Sequence, residues 1–119
     1  MSIEAFIDRM IEAEELESGL SVTNEEYETA VKKLYRVAMS GTGQSGVCAQ
    51  VLLSTYDGHN YRANLADLGG IDLDLLNLAL MIIRGRAVNM IEPHEVVKGG
   101  RDMFDCLRNR WPSLAIGAE

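Results

Sequence analysis

The sequence has little of what small catalytic and metal-binding domains usually depend on. Its 119 residues include two cysteines, two histidines and two prolines, and no apolar run approaches the ~18 residues that a membrane span needs. Cys48 and Cys106 fit neither a disulfide framework nor a zinc site, so we expect both to be buried apolar side chains. The first residues lack the basic and apolar regions of a signal peptide, which predicts a cytoplasmic protein that does not contact the membrane.

Catalytic and cofactor-binding constellations are also missing from the sequence. His94-Glu95-Val96-Val97-Lys98 resembles the start of a zincin motif, but Lys98 occupies the position of the second histidine ligand. His59 and His94 have no neighbouring cysteine or aspartate at ligand spacing, so we expect each to be solvated or at a helix end. The sequence therefore predicts no metal site, no cofactor and no enzymatic activity.

One glycine-rich segment has the letters of a ligand-binding loop. Gly41-Thr42-Gly43-Gln44-Ser45-Gly46 matches the dinucleotide-binding pattern, and the amide groups of a following helix would favour an anion. However, a helix rather than a strand is expected before it, and Val47 stands where a P-loop has lysine. We expect a flexible loop between helices, with a small nucleotide- or anion-binding module at Gly41, Gly43 and Gly46 as an alternative.

Basic residues are scarce in the first quarter of the chain. The net charge is −7, and residues 1–31 hold nine acidic residues against one basic residue, Arg9. A negative chain repels phosphate backbones, which disfavours direct binding to DNA or RNA. The alternative of a DNA-binding regulatory protein requires that the basic residues near the C-terminus converge on one face; these are Arg84, Arg86, Lys98, Arg101, Arg108 and Arg110.

The spacing of apolar residues predicts an all-α protein. A first helix over residues 3–16 has Ser2 as its N-cap, and Gly19 offers a stop. A second helix begins at the capping box formed by Thr23 and Glu26. Residues 1–119 are then a single compact domain, a bundle of five or six helical elements.

Residues 47–56 fit a buried helix, although a short β-hairpin is an alternative. Asp57-Gly58 is a turn pair, and residues 61–65 offer a returning strand. We favour the helix because an isolated two-stranded ribbon is only marginally stable in water.

Residues 73–83, which follow Asp72, are apolar almost all round. Such a helix must be surrounded by protein, either at the centre of the bundle or partly at a homodimer interface. We take the central position as the default, with every side covered within the chain. The remaining elements are a short turn over 64–68, a loop over 84–91, a turn from Pro93 to Lys98 and a last helix over 101–111 that Pro112 stops.

A set of apolar and glycine positions lies between about residues 41 and 115. It comprises Leu52-Leu53-Ser54-Thr55-Tyr56-Asp57-Gly58, Leu65-Ala66-Asp67-Leu68 with Ile71-Asp72, Glu95-Val96, Gly99-Gly100, Phe104 and Trp111. This set resembles an uncharacterised family of small proteins encoded on proteobacterial plasmids, integrative elements and phages. The resemblance implies no known activity, but it implies an accessory gene of a mobile element, and such genes frequently encode small inhibitors of host defence.

Four acidic residues of the first helix, Glu4, Asp8, Glu12 and Glu15, fall on one strip beside its apolar stripe. Like charges four residues apart cost about 0.2–0.5 kcal/mol each. Either basic residues of the last helix or a basic partner must compensate. We expect a non-enzymatic binding protein whose acidic strip docks on the basic surface of a larger protein or nucleoprotein complex, in the manner of anti-CRISPR proteins.

Overall fold

Helices account for most of the chain, as the apolar spacing predicts. A computed structural model describes residues 2–118. The five α-helices are α1 (Ile3–Leu20), α2 (Asn24–Ala38), α3 (Ser45–Tyr56), α4 (Leu73–Ala87) and α5 (Gly100–Arg110). Short 3₁₀ turns cover Leu65–Gly70, Pro93–Val96 and Pro112–Leu114. The described residues form no β-strand, and the all-α prediction is confirmed.

The segment after α3 is a helix end rather than a hairpin. Asp57 is the C-cap of α3, and its backbone N–H donates to the carbonyl of Leu53. Tyr61 forms an isolated antiparallel bridge with Ala115 near the C-terminus, not with residues 47–56. The helix is favoured because its buried side chains, which include Cys48 and Leu52, pack into the core.

The core is built around α2 and α3. Helix α2 packs against both α3 and α4, and it buries Tyr27, Ala30, Val31, Leu34 and Ala38 on one face. The predicted capping box is present at its start.

Helix α4 is not the central element that the sequence suggested. It buries Leu75, Ala79, Ile82 and Gly85, which recur at helical spacing on one side. On other sides Leu73 is 81% exposed and Leu80 is 38% exposed. The prediction that every side is covered within the chain is therefore wrong. The predicted loop at 84–91 is also too long, because the helix continues to Ala87.

Helix α1 contributes nothing to the core. Among residues 3–20 none is buried, and the helix passes through Gly19 to end at Leu20, beyond the predicted stop. Its 18 residues span about 27 Å at 1.5 Å per residue. The molecule measures 56 × 28 × 27 Å, so it is about twice as long as it is wide.

The two cysteines differ in environment, in contrast to the expectation that both are buried. Cys48 is buried in α3, and burial raises the pKa of its thiol to about 11. Cys106 is exposed on α5, because it lies on the side of that helix away from Phe104 and Leu107. Over residues 2–118 no helix is both long enough and apolar enough to cross a bilayer.

Candidate functional site

Helix α1 exposes a continuous apolar face. Its members are Ile3, Phe6, Ile7, Met10 and Ile11, which recur at three- and four-residue spacing and so share one side of the helix. Each is between 47% and 78% exposed. Exposed apolar side chains are ordinary when scattered, but a contiguous set on one face is typical of an interaction surface. We call these five residues the apolar face of α1.

The acidic strip lies beside this apolar face on the same helix. Glu4, Asp8, Glu12 and Glu15 are all exposed, as the spacing predicts. The ion pairs among residues 2–118 include none of the four. Basic residues of the last helix therefore do not compensate the strip within the chain, which was one of the two explanations that the sequence left open.

The rest of α1 adds to the negative charge. Residues 3–20 hold six acidic residues and one basic residue, Arg9. Glu14 and Glu17 lie seven residues after Ile7 and Met10, so they continue the side of the apolar face in the last turns. No basic residue stands in the last turn, where the helix dipole would favour one. The C-terminal half of α1 is therefore strongly anionic.

The glycine loop before α3 is held in place by hydrogen bonds of the Ser45 side chain. Ser45 is buried, and its Oγ accepts from the N–H of Thr42 at 2.8 Å and donates to the carbonyl of Val37 at 2.6 Å. Gly41 has a φ of +77°, a conformation that favours glycine. A Cβ at Gly46 would meet the Trp111 ring at 3.6 Å. The backbone conformation accounts for Gly41, whereas at Gly46 the distance to Trp111 is an ordinary contact that a side chain would tolerate. Anion binding at Gly41, Gly43 and Gly46 stays a prediction.

The six basic residues proposed for nucleic acid are divided between surfaces. Arg101 and Arg108 lie seven residues apart on one face of α5 and line one cleft. Arg110 points to the opposite side, where its guanidinium lies 5.1 Å from the Trp111 ring centroid. Arg86, near the end of α4, lines a neighbouring cleft, and Arg84 and Lys98 are exposed. The convergence that nucleic-acid binding requires is not seen, and that function stays a prediction.

A cleft between the end of α3, the turn Pro93–Val96 and α5 contains a group that the sequence did not single out. The His94 side chain is only 13% exposed and lies in the last turn of Pro93–Val96, so it matches the expected position at a helix end but is not solvated, whereas His59 is exposed. Tyr56 packs edge-on against the His94 ring at 5.1 Å between centroids. Phe104 in turn stacks on the Tyr56 ring, with 4.5 Å between the ring centroids.

Two glutamates stand beside this histidine. One ligand atom each from Glu92, His94 and Glu95 can be chosen so that all lie within 4.8 Å of one another. The Nδ1 atom of His94 is buried and has no hydrogen-bond partner in the described part of the chain. The sequence signal was the pattern Glu-x-His-Glu over residues 92–95, which goes unnoticed when only cysteine and aspartate are sought near a histidine.

Two other charged groups of the cleft, Arg108 and Asp57, have partners close in the sequence. Arg108 forms an ion pair with Asp105, and this contact raises the pKa of the Arg108 guanidinium. The side chain of Asn60 donates to Asp57 at 2.8 Å, which lowers the pKa of the Asp57 carboxyl. Arg101 lines the cleft as well. The surroundings of His94 therefore contain both signs of charge.

Comparison with known proteins adds a family but no function. A search of curated proteins finds no match, and neither does a search of solved structures. A family model covers residues 28–112, which include most of α2 and all of α3, α4 and α5, whereas α1 lies outside the match. The resemblance noted in the sequence is thus supported at the level of an uncharacterised family, and the match begins before the glycine loop. Since the model covers well over half of the sequence, the chain belongs to DUF7673, a family of unknown function.

Proposed function

We propose that the protein acts by binding a larger partner through α1, without catalysis. The observation that carries this proposal is that α1 presents five large apolar side chains to solvent while none of residues 3–20 is buried. Most helices in proteins owe their stability to packing of an amphipathic face rather than to helix propensity. A partner that covers the apolar face would supply this missing packing.

The charge of α1 favours a different protein over a second copy of the chain. Pairing two α1 helices would bring together twelve acidic residues and two basic residues, whichever way the helices run. An antiparallel pair would place Glu14 and Glu17 of each helix toward the apolar side chains of the other. A parallel pair would place like charges side by side. Charge repulsion therefore disfavours self-association through α1 in either orientation.

The acidic residues of α1 also indicate what the binding surface of the partner should look like. An amphipathic helix binds a partner by laying its apolar residues into a hydrophobic groove. Here the groove needs basic residues along the side that meets Glu4, Asp8, Glu12 and Glu15, because opposite charge speeds association and selects the partner. Nucleic-acid-binding surfaces of host defence complexes are basic, so an inhibitor encoded on a mobile element, of the anti-CRISPR kind, suits this chemistry.

A photo-crosslinking amino acid placed at Ile7 would test the proposal in cells. We expect one predominant adduct with a larger protein, and the same amino acid at Glu25 on the exposed side of α2 should give none. The identified partner is then purified and its affinity for the untreated protein measured. A cross-link between two copies of this chain, together with dimers in light scattering over a hundredfold concentration range, would contradict the proposal and show that α1 mediates self-association instead.

Two sets of variants separate the two faces of α1. Replacing Ile7 and Met10 by Gln should weaken binding at least tenfold at any salt concentration. Replacing the four acids of the strip by Gln should weaken it mainly at low salt, since screening already reduces their effect at high salt. Both sets should leave the melting temperature within a few degrees, because the residues are exposed. Unchanged affinity in both sets would show that α1 is not the docking element.

A further inference from the structure

We propose that Glu92, His94 and Glu95 form a binding site for a divalent transition-metal ion, with Zn²⁺ as the best match. This site is separate from α1, so it stands or falls independently of the function proposed above. Imidazole nitrogen and carboxylate oxygen are both ligands that zinc takes in proteins. Three protein ligands leave a fourth position for water or another small ligand, as in zinc sites with an open position.

The spacing of the ligand atoms fits one ion. Zinc lies about 2.0–2.2 Å from imidazole nitrogen and carboxylate oxygen, so two ligands of the same ion stand roughly 3.5 Å apart. In this structure Nδ1 of His94 lies 3.7 Å from Oε2 of Glu92. That separation is too long for a hydrogen bond but is close to the spacing of two neighbouring ligands in a tetrahedral shell. A carboxylate oxygen of Glu95 completes the group within 4.8 Å.

The second observation in favour of a metal ion is that Nδ1 of His94 has no hydrogen-bond partner within the part of the chain that the structure describes. Nδ1 of His94 is enclosed by its neighbours and makes no hydrogen bond among residues 2–118. Buried polar atoms in proteins nearly always have a partner, so an exception of this kind needs an explanation. A bound ion would satisfy Nδ1 directly, and it would also relieve the repulsion between the two nearby carboxylates.

The backbone holds the histidine in place for this role. Pro93 is buried, and its ring fixes the backbone immediately before His94. On the other side, a Cβ at Gly100 would lie 2.8 Å from the Cα of His94 and would overlap its carbonyl group. Only glycine at position 100 allows α5 to approach so closely. Together with the edge contact from Tyr56, this packing holds the imidazole ring in one orientation.

Local charge sets which ions are suitable. Two carboxylates attract a cation, while Arg101, which lines both clefts that His94 lines, opposes it. Mg²⁺ and Ca²⁺ prefer shells made of oxygen atoms, usually six or more, and the imidazole is a poor ligand for them. The site should therefore select Zn²⁺ over Mg²⁺, and removal of the Arg101 charge should strengthen binding.

Calorimetric titration of the full chain with ZnCl₂ tests the proposal, with any affinity tag removed. The protein carries Cys106→Ser, so that the exposed thiol on α5 cannot bind the ion. We expect one Zn²⁺ per chain and no measurable binding of Mg²⁺. Glu95→Gln should weaken binding at least tenfold, and because Glu95 is exposed this variant should fold normally. His94→Gln should abolish binding, and Arg101→Gln should tighten it severalfold.

His59→Gln is the matched control, because His59 is the other histidine of the chain and is exposed. It should leave the zinc affinity unchanged. Nitrogen-15 spectra of the imidazole should show that Zn²⁺ changes the Nδ1 signal of His94 rather than that of His59. Absence of zinc binding at 100 µM ion, binding that Glu95→Gln leaves intact, or binding that His59→Gln removes would each overturn the proposal.

Discussion

Gly85 on α4 lies directly against the ring of Tyr27 on α2. A Cβ at position 85 would stand 2.8 Å from Cγ of Tyr27 and closer still to the edge of the ring. Both residues are buried, and the hydroxyl of Tyr27 donates to the carbonyl of Ile91 at 2.7 Å. The tyrosine is held at both ends, so it cannot easily move away from α4.

Gly85→Ala should therefore destabilise the protein although alanine is the better helix former. The helix propensity gain is about 1 kcal/mol, whereas overpacking of a filled core costs about 1–3 kcal/mol. We expect a net loss of up to about 2 kcal/mol in urea unfolding. Gly19→Ala in α1 is the control, since no atom lies within 4 Å of its Cβ position, and it should not destabilise the protein. Equal effects at the two positions would contradict the packing explanation.

The caps of α1 and α2 should differ in their effect on global stability. Thr23→Ala removes the bond that Thr23 Oγ1 accepts from the N–H of Glu26 at 3.0 Å, and we expect a loss of about 1 kcal/mol. Ser2→Ala removes the equivalent bond from Ala5 at 3.1 Å, but no residue of α1 is buried, so the unfolding midpoint should not move. A shift of similar size for Ser2→Ala would mean that α1 is part of the cooperative unit.

The capping box also predicts a direction of pH dependence. Hydrogen bonds from Thr23 lower the pKa of Glu26 below its ordinary value of 4.5. A carboxyl with a lowered folded-state pKa stabilises the protein above pH 4.5, and this contribution is lost as the pH falls through the folded pKa.

Asn89 should be important because it fastens the segment between α1 and α2 to the end of α4. Its Oδ1 accepts from the N–H of Val22 at 3.1 Å, and its Nδ2 donates to the carbonyl of Val22 at 2.7 Å. Asn89→Ala leaves both backbone groups without these partners, and we expect a loss of about 1–3 kcal/mol. Amide exchange at Val22 should accelerate at the same time. Asn77→Ala, on the exposed side of α4, should change stability by less than about 0.5 kcal/mol.

Alkaline pH should destabilise the fold through Cys48. Burial raises the pKa of this thiol from 9.0 to about 11, so the unfolded chain loses its proton first. The stabilisation is complete below pH 9 and is lost as the pH rises to about 11, a change of roughly 3 kcal/mol for two pKa units. Unfolding midpoints between pH 8 and 11 would measure it.

Two variants isolate this contribution. Cys48→Ala should remove the fall between pH 9 and 10, and a residual fall above pH 10 should remain because burial also raises the pKa of Tyr27. Cys106→Ser should not change the profile, since that thiol is exposed. A profile that depends on Cys106 instead would contradict the assignment.

The sequence was sufficient where local chemistry decides structure. Thr23 and Glu26 form the predicted box because the two bonds join residues three apart and need nothing else from the fold. The acidic strip of α1 could be derived in the same way, because helical spacing alone places Glu4 and Glu15 on one side.

The sequence was insufficient where a side chain depends on distant partners. The apolar pattern of residues 73–83 is the same whether a helix is covered on all sides or on one, and only the placement of α4 against α2 leaves Leu73 exposed. The burial of His94 depends on Tyr56, which is far away in the sequence, and on the approach of α5 that Gly100 permits.

The sequence by itself determined the helical class, most helix positions and the concentration of negative charge in the first quarter of the chain. Periodicity, capping and charge are local properties, so they can be recognised without knowledge of the fold. Only the tertiary structure decided that α1 stands apart with its apolar face open, and that His94 is enclosed beside Glu92 and Glu95. Both depend on which surfaces the other helices cover, and burial of that kind is set by the packing of residues far apart in the chain.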